Sequence, residues 1–66
     1  MLRTKIAEIR KEKNISQQEL ADAVDVRRET ISHLENGRYN PSLKLAMMIC
    51  HFLDKKVEEV FRYDFW

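Results

Sequence analysis

Apolar residues recur at three- and four-residue intervals along most of the chain, in short runs broken by definite stop signals. Ile6 and Ile9, with Leu2 at the margin, share one face of a first helix whose other faces carry lysines and glutamates, and this run should end near Asn14. Ser16 followed three residues later by Glu19 is a capping-box pattern, in which each side chain satisfies a free amide. Ile15 can staple onto Leu20, and a second helix continues through Ala21 and Val24. Val24 and Val26 lie too close together for one helical face to bury both, and Asp25 between them is a turn former. Ile31 and Leu34 then restore helical spacing. Asn36-Gly37 ends that run with a residue free to adopt positive φ. The same dipeptide can mark a β-hairpin, but its flanks show helical rather than alternating periodicity.

A fourth helix opens in "NPSLKLAMMICHFL". Pro41 is tolerated in a first turn, either Asn40 or Ser42 serves as the cap, and Leu45, Met48, Ile49, Phe52 and Leu53 form the apolar stripe. Asp54-Lys55-Lys56 interrupts the pattern. A fifth helix over Val57–Phe61 begins with Glu58 and Glu59, where the helix dipole favours negative charge. Phe61, Tyr63 and Phe65 alternate at period two, a strand signal. One short strand needs a partner, either Leu2–Thr4 or another subunit.

With 66 residues the chain holds one domain, which buries only about 60% of its unfolded surface. Cys50 is the only cysteine, so no internal disulfide forms, and a reducing setting is expected. The opening residues carry charges every few positions rather than an apolar signal core. Leu45–Cys50, the longest apolar run, falls far short of the roughly 20 residues of a membrane span. A soluble, cytoplasmic domain without membrane contact is the expectation. The net charge of +1 does not advertise a nucleic-acid partner, but its distribution permits one. Arg27, Arg28 and Arg38 lie close together, with their acidic neighbours mostly upstream.

Two short helices meeting at Asp25, with small Ala21 where they would cross, describe a helix-turn-helix over about residues 17–36. Here the sequence resembles the Cro/C1-type (XRE) DNA-binding domain of phage and bacterial repressors over nearly its whole length. The resemblance rests on Gln17, Leu20-Ala21, Val26, Ile31, Leu34-Glu35-Asn36-Gly37 and Asn40-Pro41-Ser42, in order and at matching spacing. Total length and the tail after Val57 also resemble a very small subgroup that includes the cytolysin-operon repressor. The resemblance implies an all-α, five-helix, lambda-repressor-like domain whose chain ends can pair in a small two-stranded antiparallel sheet. It also implies a homodimer bound to a double-stranded DNA operator.

The residues support that reading independently. A recognition helix must bury one face and offer the other to base edges in the major groove. On Arg27–Asn36, Ile31 and Leu34 point inward, while Glu29, Ser32, His33 and Asn36 point outward, flanked by Arg28. Arg28 can form the bidentate pair with guanine O6 and N7, worth about 1–3 kcal/mol of discrimination. His33 can donate to a guanine N7, Ser32 can reach a base or a phosphate, and Arg27 stands beside them as a base or phosphate contact. Glu29 either accepts from cytosine N4 or orients Arg28 or His33. By resemblance, Gln17, the neighbouring Gln18 and the second helix's amides grip one phosphate, and Asn36, Arg38 and Asn40 line another stretch of backbone. Such contacts set register and contribute little sequence preference. The resemblance also implies that Glu35 pairs with Arg10.

Plainer readings stand beside these. Two adjacent arginines are commonly a solvated face, a lone histidine is usually surface, and Met47, Met48 and Cys50 are most simply core or near-core filling. Tyr39 either packs on the loop or contacts DNA. The sequence departs from the family pattern at Asp25, where glycine is frequent, at Arg27, where a serine or threonine cap is frequent, and at the Lys56 cap position. The missing cap at Arg27 costs on the order of 1 kcal/mol.

An enzyme is not supported. Gly37 is the only glycine, so no phosphate-cradling loop exists, and adjacent Cys50 and His51 point about 100° apart on a helix, unlike zinc ligands. No metal or cofactor is expected. The dimer surface should come from Asn40, Pro41, Val57, Val60, Phe61, Tyr63 and Phe65, with residues 57–66 as its main element. Taken together, the chain reads as a homodimeric transcriptional regulator, a repressor on a palindromic operator, bacterial or phage-encoded. The alternative is an antitoxin-like or anti-regulator module whose apolar tail binds another protein.

Overall fold

Short helices gain stability when their end groups find partners, and much of the punctuation read above supplies them. The computed structural model describes residues 2–64. Among them run β1 (Leu2–Thr4), α1 (Ile6–Glu12), α2 (Gln17–Ala23), α3 (Arg28–Glu35), α4 (Leu43–Leu53), α5 (Val57–Val60) and β2 (Phe61–Tyr63). At the start of α2 the Ser16 hydroxyl accepts from the Glu19 amide at 3.0 Å, and the Ser16 amide donates to Glu19 Oε1 at 3.0 Å. Ser42, not Asn40, caps α4, its hydroxyl accepting from the Leu45 amide at 3.1 Å. Pro41 therefore precedes the cap instead of occupying the first turn.

The helices α1 to α4 end alike. Asn14, Asp25, Gly37 and Asp54 all take positive φ, near 57°, 58°, 71° and 56°. The amide after each returns to a carbonyl five residues back: Ile15 to Arg10 at 2.9 Å, Val26 to Ala21 at 3.0 Å, Arg38 to His33 at 2.9 Å and Lys55 to Cys50 at 3.0 Å. This is the Schellman closure, which satisfies carbonyls that have no intrahelical donor. Asn and Asp enter the left-handed region more easily than most residues, so Asp25 serves where glycine is frequent. At Gly37 the requirement is stricter, because a Cβ there would lie 2.9 Å from the Leu2 carbonyl oxygen.

The chain ends pair within one molecule. Strands β1 and β2 run antiparallel, with Leu2 opposite Tyr63, Arg3 opposite Arg62 and Thr4 opposite Phe61. Phe61 thus belongs to a strand, and α5 is one residue shorter than expected because Phe61 is already extended (φ −120°, ψ 141°). Leu2 likewise lies in β1 rather than on α1. The Lys5 amide donates to the Val60 carbonyl at 2.8 Å, tying the start of α1 to the end of α5.

A single cluster fills the interior: Ile6, Ile9, Leu20, Ala21, Val24, Ile31, Leu34, Leu45, Ile49, Cys50, Leu53 and Val60, with Ile15, Val26, Met48 and Phe61 packed against it. Each fully buried Leu, Ile or Val contributes about 1.5–3 kcal/mol relative to exposure. Helix α2 packs chiefly on α3, which also touches α1 and β1, and α4 lies against α2 and α5. Two expectations are corrected here, and a third falls outside the described residues. Val60 is only 1% exposed, so it holds the core and cannot offer a surface to a second subunit. Phe52 stands at the edge of its stripe and Met47 off it, so both are exposed rather than core. Phe65, assigned above to the dimer surface, lies outside the described residues.

Candidate nucleic-acid interface

Burial of Ile31 and Leu34 fixes the roll of α3 about its axis and so decides what the helix presents. Arg28, Glu29, His33 and Asn36 are exposed and Ser32 is half-buried, one polar face without a large hydrophobe. Arg27 is the residue before the helix, in extended conformation (φ −78°, ψ 152°), and its side chain makes no capping bond. Arg38 and Asn40 follow on the exposed connection to α4.

The hydrogen bonds sort these residues further. Among the described residues, Glu29 bonds neither Arg28 nor His33. The partner of Arg28 is Gln17, whose Oε1 accepts from Arg28 Nη1 at 3.4 Å. Gln17 Nε2 in turn donates to Glu35 Oε1 at 2.9 Å. Glu35 also binds Arg10, through Nε to Oε2 at 2.8 Å and Nη2 to Oε1 at 3.3 Å. Arg10 Nη1 completes the set by donating to the Ile15 carbonyl at 3.0 Å. The Arg10–Glu35 pair implied by the resemblance is therefore present, with side chains only 11% and 8% exposed. Asn36 uses one amide N–H on its own helix, donating to the Ser32 carbonyl at 2.9 Å. Gln18 is exposed on α2 and pairs one turn on with Asp22 at 2.8 Å.

A second surface lies around the start of α4. Leu2, Asn40, Pro41, Leu43, Ala46, Val57, Phe61 and Tyr63 line a shallow, largely apolar hollow. Asn40, Pro41, Val57, Phe61 and Tyr63, all named above for a dimer surface, line this one hollow. The sequence alone did not place Leu43, 74% exposed, or Leu2 and Ala46 beside them. The signal was available: Leu43 stands two residues before Leu45, about 200° round the helix from the buried stripe. Tyr39 lies elsewhere, in a hollow with Val24, Val26, Leu45 and Met48, which favours packing on the loop. Burial pushes the Cys50 thiol up, with Glu58 adding to the shift, so it is held as the unreactive thiol. Among the described residues no His, Cys, Asp and Glu group could hold a metal ion, and no helix is long and apolar enough to cross a membrane.

The family model described as helix-turn-helix matches residues 6–60, which takes in all five helices. The chain belongs to the XRE-type helix-turn-helix family. An HTH-type transcriptional regulator of Archaeoglobus fulgidus is 52% identical over 63 residues, covering 96% of this chain and 89% of the relative. The HTH-type regulator YgzD of Bacillus subtilis is 40% identical over 60 residues, with 91% of each chain covered. Among solved structures, the restriction-modification controller protein C.AhdI from Aeromonas hydrophila superposes with a TM-score of 0.77 at 29% identity, covering 83% of both chains. Family membership makes the protein a transcriptional regulator with a helix-turn-helix DNA-binding domain, and not an enzyme. In this family member α2 and α3 are the helix-turn-helix, and α3 is its second helix, the one that reads DNA in such motifs.

Proposed function

We propose that the protein is a repressor that acts as a homodimer on a palindromic operator, with α3 of each subunit in the major groove of one half-site. The observation that carries this is the division of α3: Ile31 and Leu34 are fully buried, and Arg28, Glu29, Ser32 and His33 share the accessible side. Arg28 reads a guanine, His33 and Ser32 reach neighbouring positions, and Glu29 faces a cytosine. Arg27, Arg38, Asn40 and Gln18 lie along the phosphates, where they set register rather than preference. Residues 1–66 work as one domain, and a second copy covers the apolar hollow around Leu43. An exposed apolar hollow on so small a domain is typical of an interaction site.

Selection of bound duplexes from a random DNA pool tests the reading as a whole. The expected product has two-fold related half-sites about one helical turn (~34 Å) apart. Arg28→Ala should weaken binding to that product at least about tenfold, the loss centred on one base pair. Unchanged specific binding by Arg28→Ala would remove α3 as the reading element. The selected sequence placed in a reporter promoter should lower expression in the presence of the protein; raised expression would make it an activator.

A further inference from the structure

We propose that the terminal sheet adds a backbone contact to the DNA-binding surface: beside the end of α3, Arg3 leaves Asp64 for a phosphate of the operator. The inference rests on the reading of α3 as the helix that enters the groove. Strand β1 packs against α3, so closely that a Cβ on Gly37 would lie 2.9 Å from the Leu2 carbonyl oxygen. Leu2, Arg3 and Thr4 accordingly share one hollow with Glu35, Asn36 and Gly37. Asn36 begins the stretch, continued by Arg38 and Asn40, that is expected to follow the DNA backbone, and Arg3 extends it from a different element. Glu35 also lines the hollow, but its carboxylate is taken up by Arg10 and Gln17 and sets no open charge against a phosphate.

The charges on the sheet are placed at a cost to its stability. Alternation puts Leu2, Thr4, Phe61 and Tyr63 on one side and Arg3 and Arg62 on the other, and the register sets the two arginines directly opposite each other. Like charges in that position repel. One carboxylate serves both: Asp64 Oδ2 accepts from Arg3 Nε, and Asp64 Oδ1 lies 3.6 Å from Arg62 Nε. Two cations against one anion leave a positive charge, on arginine side chains 65% and 81% exposed. A polyanion relieves that repulsion. Among the described residues the Nη groups of Arg3 bond nothing, so they are available to a phosphate, and a solvated pair such as Arg3–Asp64 is weakly held. When Arg3 departs, Arg62 remains to neutralise Asp64. The exchange therefore strands no charge, and in the unbound protein Asp64 competes with DNA for Arg3.

Affinity for the selected operator over a range of salt concentrations tests the exchange. Arg3→Gln should make the salt dependence shallower by about 0.9 in log–log slope for each subunit, and weaken binding about eightfold per subunit near ~0.1 M salt. The affinity ratios among operators with single base pairs replaced should not change. An unaltered slope and affinity would overturn the proposal. Asp64→Asn should act in the opposite direction and tighten binding, because the competitor is gone. If the carboxylate and Arg3 only clasp the sheet, both variants weaken binding alike, and the proposal fails. In an Arg3→Gln background Asp64→Asn should lose most of its gain; a full gain there would also overturn it. Lys55→Gln removes a charge that the whole of α4, about 16 Å of helix, separates from Asn40. A loss there as large as in Arg3→Gln would reduce the effect to net charge and refute a contact. Arg28→Ala keeps the two readings apart. Specific binding that survives it removes α3 as the reading element and this inference with it, whereas sensitivity to Arg28→Ala with indifference to Arg3→Gln removes the sheet contact alone.

Discussion

Replacing Glu35 by leucine should remove most of the stability of the domain, and replacing Arg10 together with it should restore much of what is lost. In the native molecule the carboxylate accepts from Arg10 Nε at 2.8 Å, Arg10 Nη2 at 3.3 Å and Gln17 Nε2 at 2.9 Å. Both members of the ion pair are nearly enclosed. Glu35→Leu leaves a guanidinium in that space with only the Ile15 carbonyl to solvate it. Breaking a buried pair from one side costs about 3–5 kcal/mol. A domain of this length holds only about 3–10 kcal/mol in total. Arg10→Met with Glu35→Leu removes both charges, and such replacements are often neutral. Here the Ile15 carbonyl and the Gln17 amide would still lose a partner, about 1 kcal/mol each, so the double variant should lie roughly 1–2 kcal/mol below the native protein. Urea unfolding followed by circular dichroism, at one fixed protein concentration, measures both. With a slope near 1 kcal/mol per molar, the midpoint should fall by roughly 3 M or more in the single variant and 1–2 M in the double. A single variant that shifts by less than about 1 M, or a double that shifts as far as the single, would show that the pair is not the buried, mutually dependent unit described.

Gly37→Ala should cost at least about 1–2 kcal/mol from left-handed strain alone, and more from contact with the Leu2 carbonyl 2.9 Å away; a thermal melt close to the native one would contradict that geometry. Leu43→Glu should convert a species of twice the 8.0 kDa chain mass into a monomer in sedimentation at micromolar concentration, because the mutated position is 74% exposed in the apolar hollow and carries no core load. A native chain that already sediments as a clean monomer would refute the interface. Acid should weaken the terminal sheet. The hydrogen bond from Arg3, together with the charges of Arg3 and Arg62, holds the Asp64 carboxyl below its ordinary 3.8. A depressed folded value adds stability above the ordinary value, and that stability is lost as pH falls from 3.8 through the folded value. Asp64→Asn should therefore flatten the stability profile below about pH 4 and leave its shape at neutral pH unchanged; equal acid sensitivity in both proteins would sink the assignment.

Local signals carried most of the fold. Ser16 with Glu19, Ser42 before Leu43, and Asn36-Gly37 act through bonds three to five residues long, so their chemistry is contained within the stretch that displays it. Periodicity told which face of α3 is buried for the same reason. Pairing was less legible. Alternation over Phe61–Phe65 signals a strand but not whose strand it meets, since period two is the same within a chain or between subunits; the Leu2–Tyr63 register settles it within the chain for the described residues. Exposure of Phe52 and burial of Val60 depend on where neighbouring elements stop, which no single helix encodes. The hydrogen-bond network of Arg10, Glu35, Gln17 and Arg28 was illegible for a further reason. Gln17, Arg28 and Glu35 are separated by 11 and 18 residues in the pairs that bond, and only the packing of α2 on α3 brings them together.

Arg27 shows what such local rules cannot judge. By capping criteria it is a poor start for α3, and the structure agrees, since no side chain satisfies the first amides. The missing cap costs on the order of 1 kcal/mol, and Arg27 and Arg28 at the positive end of the helix dipole cost about 0.3–1 kcal/mol each, of which Glu29 in the same turn offsets about one share. The opposite end of α3 is well satisfied, by the Schellman closure at Gly37 and by Asn36 bonding the Ser32 carbonyl. The helix is therefore held at its C-terminus and left unsatisfied at the end that, on the proposed reading, enters the groove. A phosphate placed there reverses both costs at once, accepting from free amides and neutralising Arg27. A serine cap would stabilise the free protein and lessen what the DNA contact returns. The weak start of α3 is best understood as part of the binding free energy, expressed in the unbound protein as a modest loss of stability.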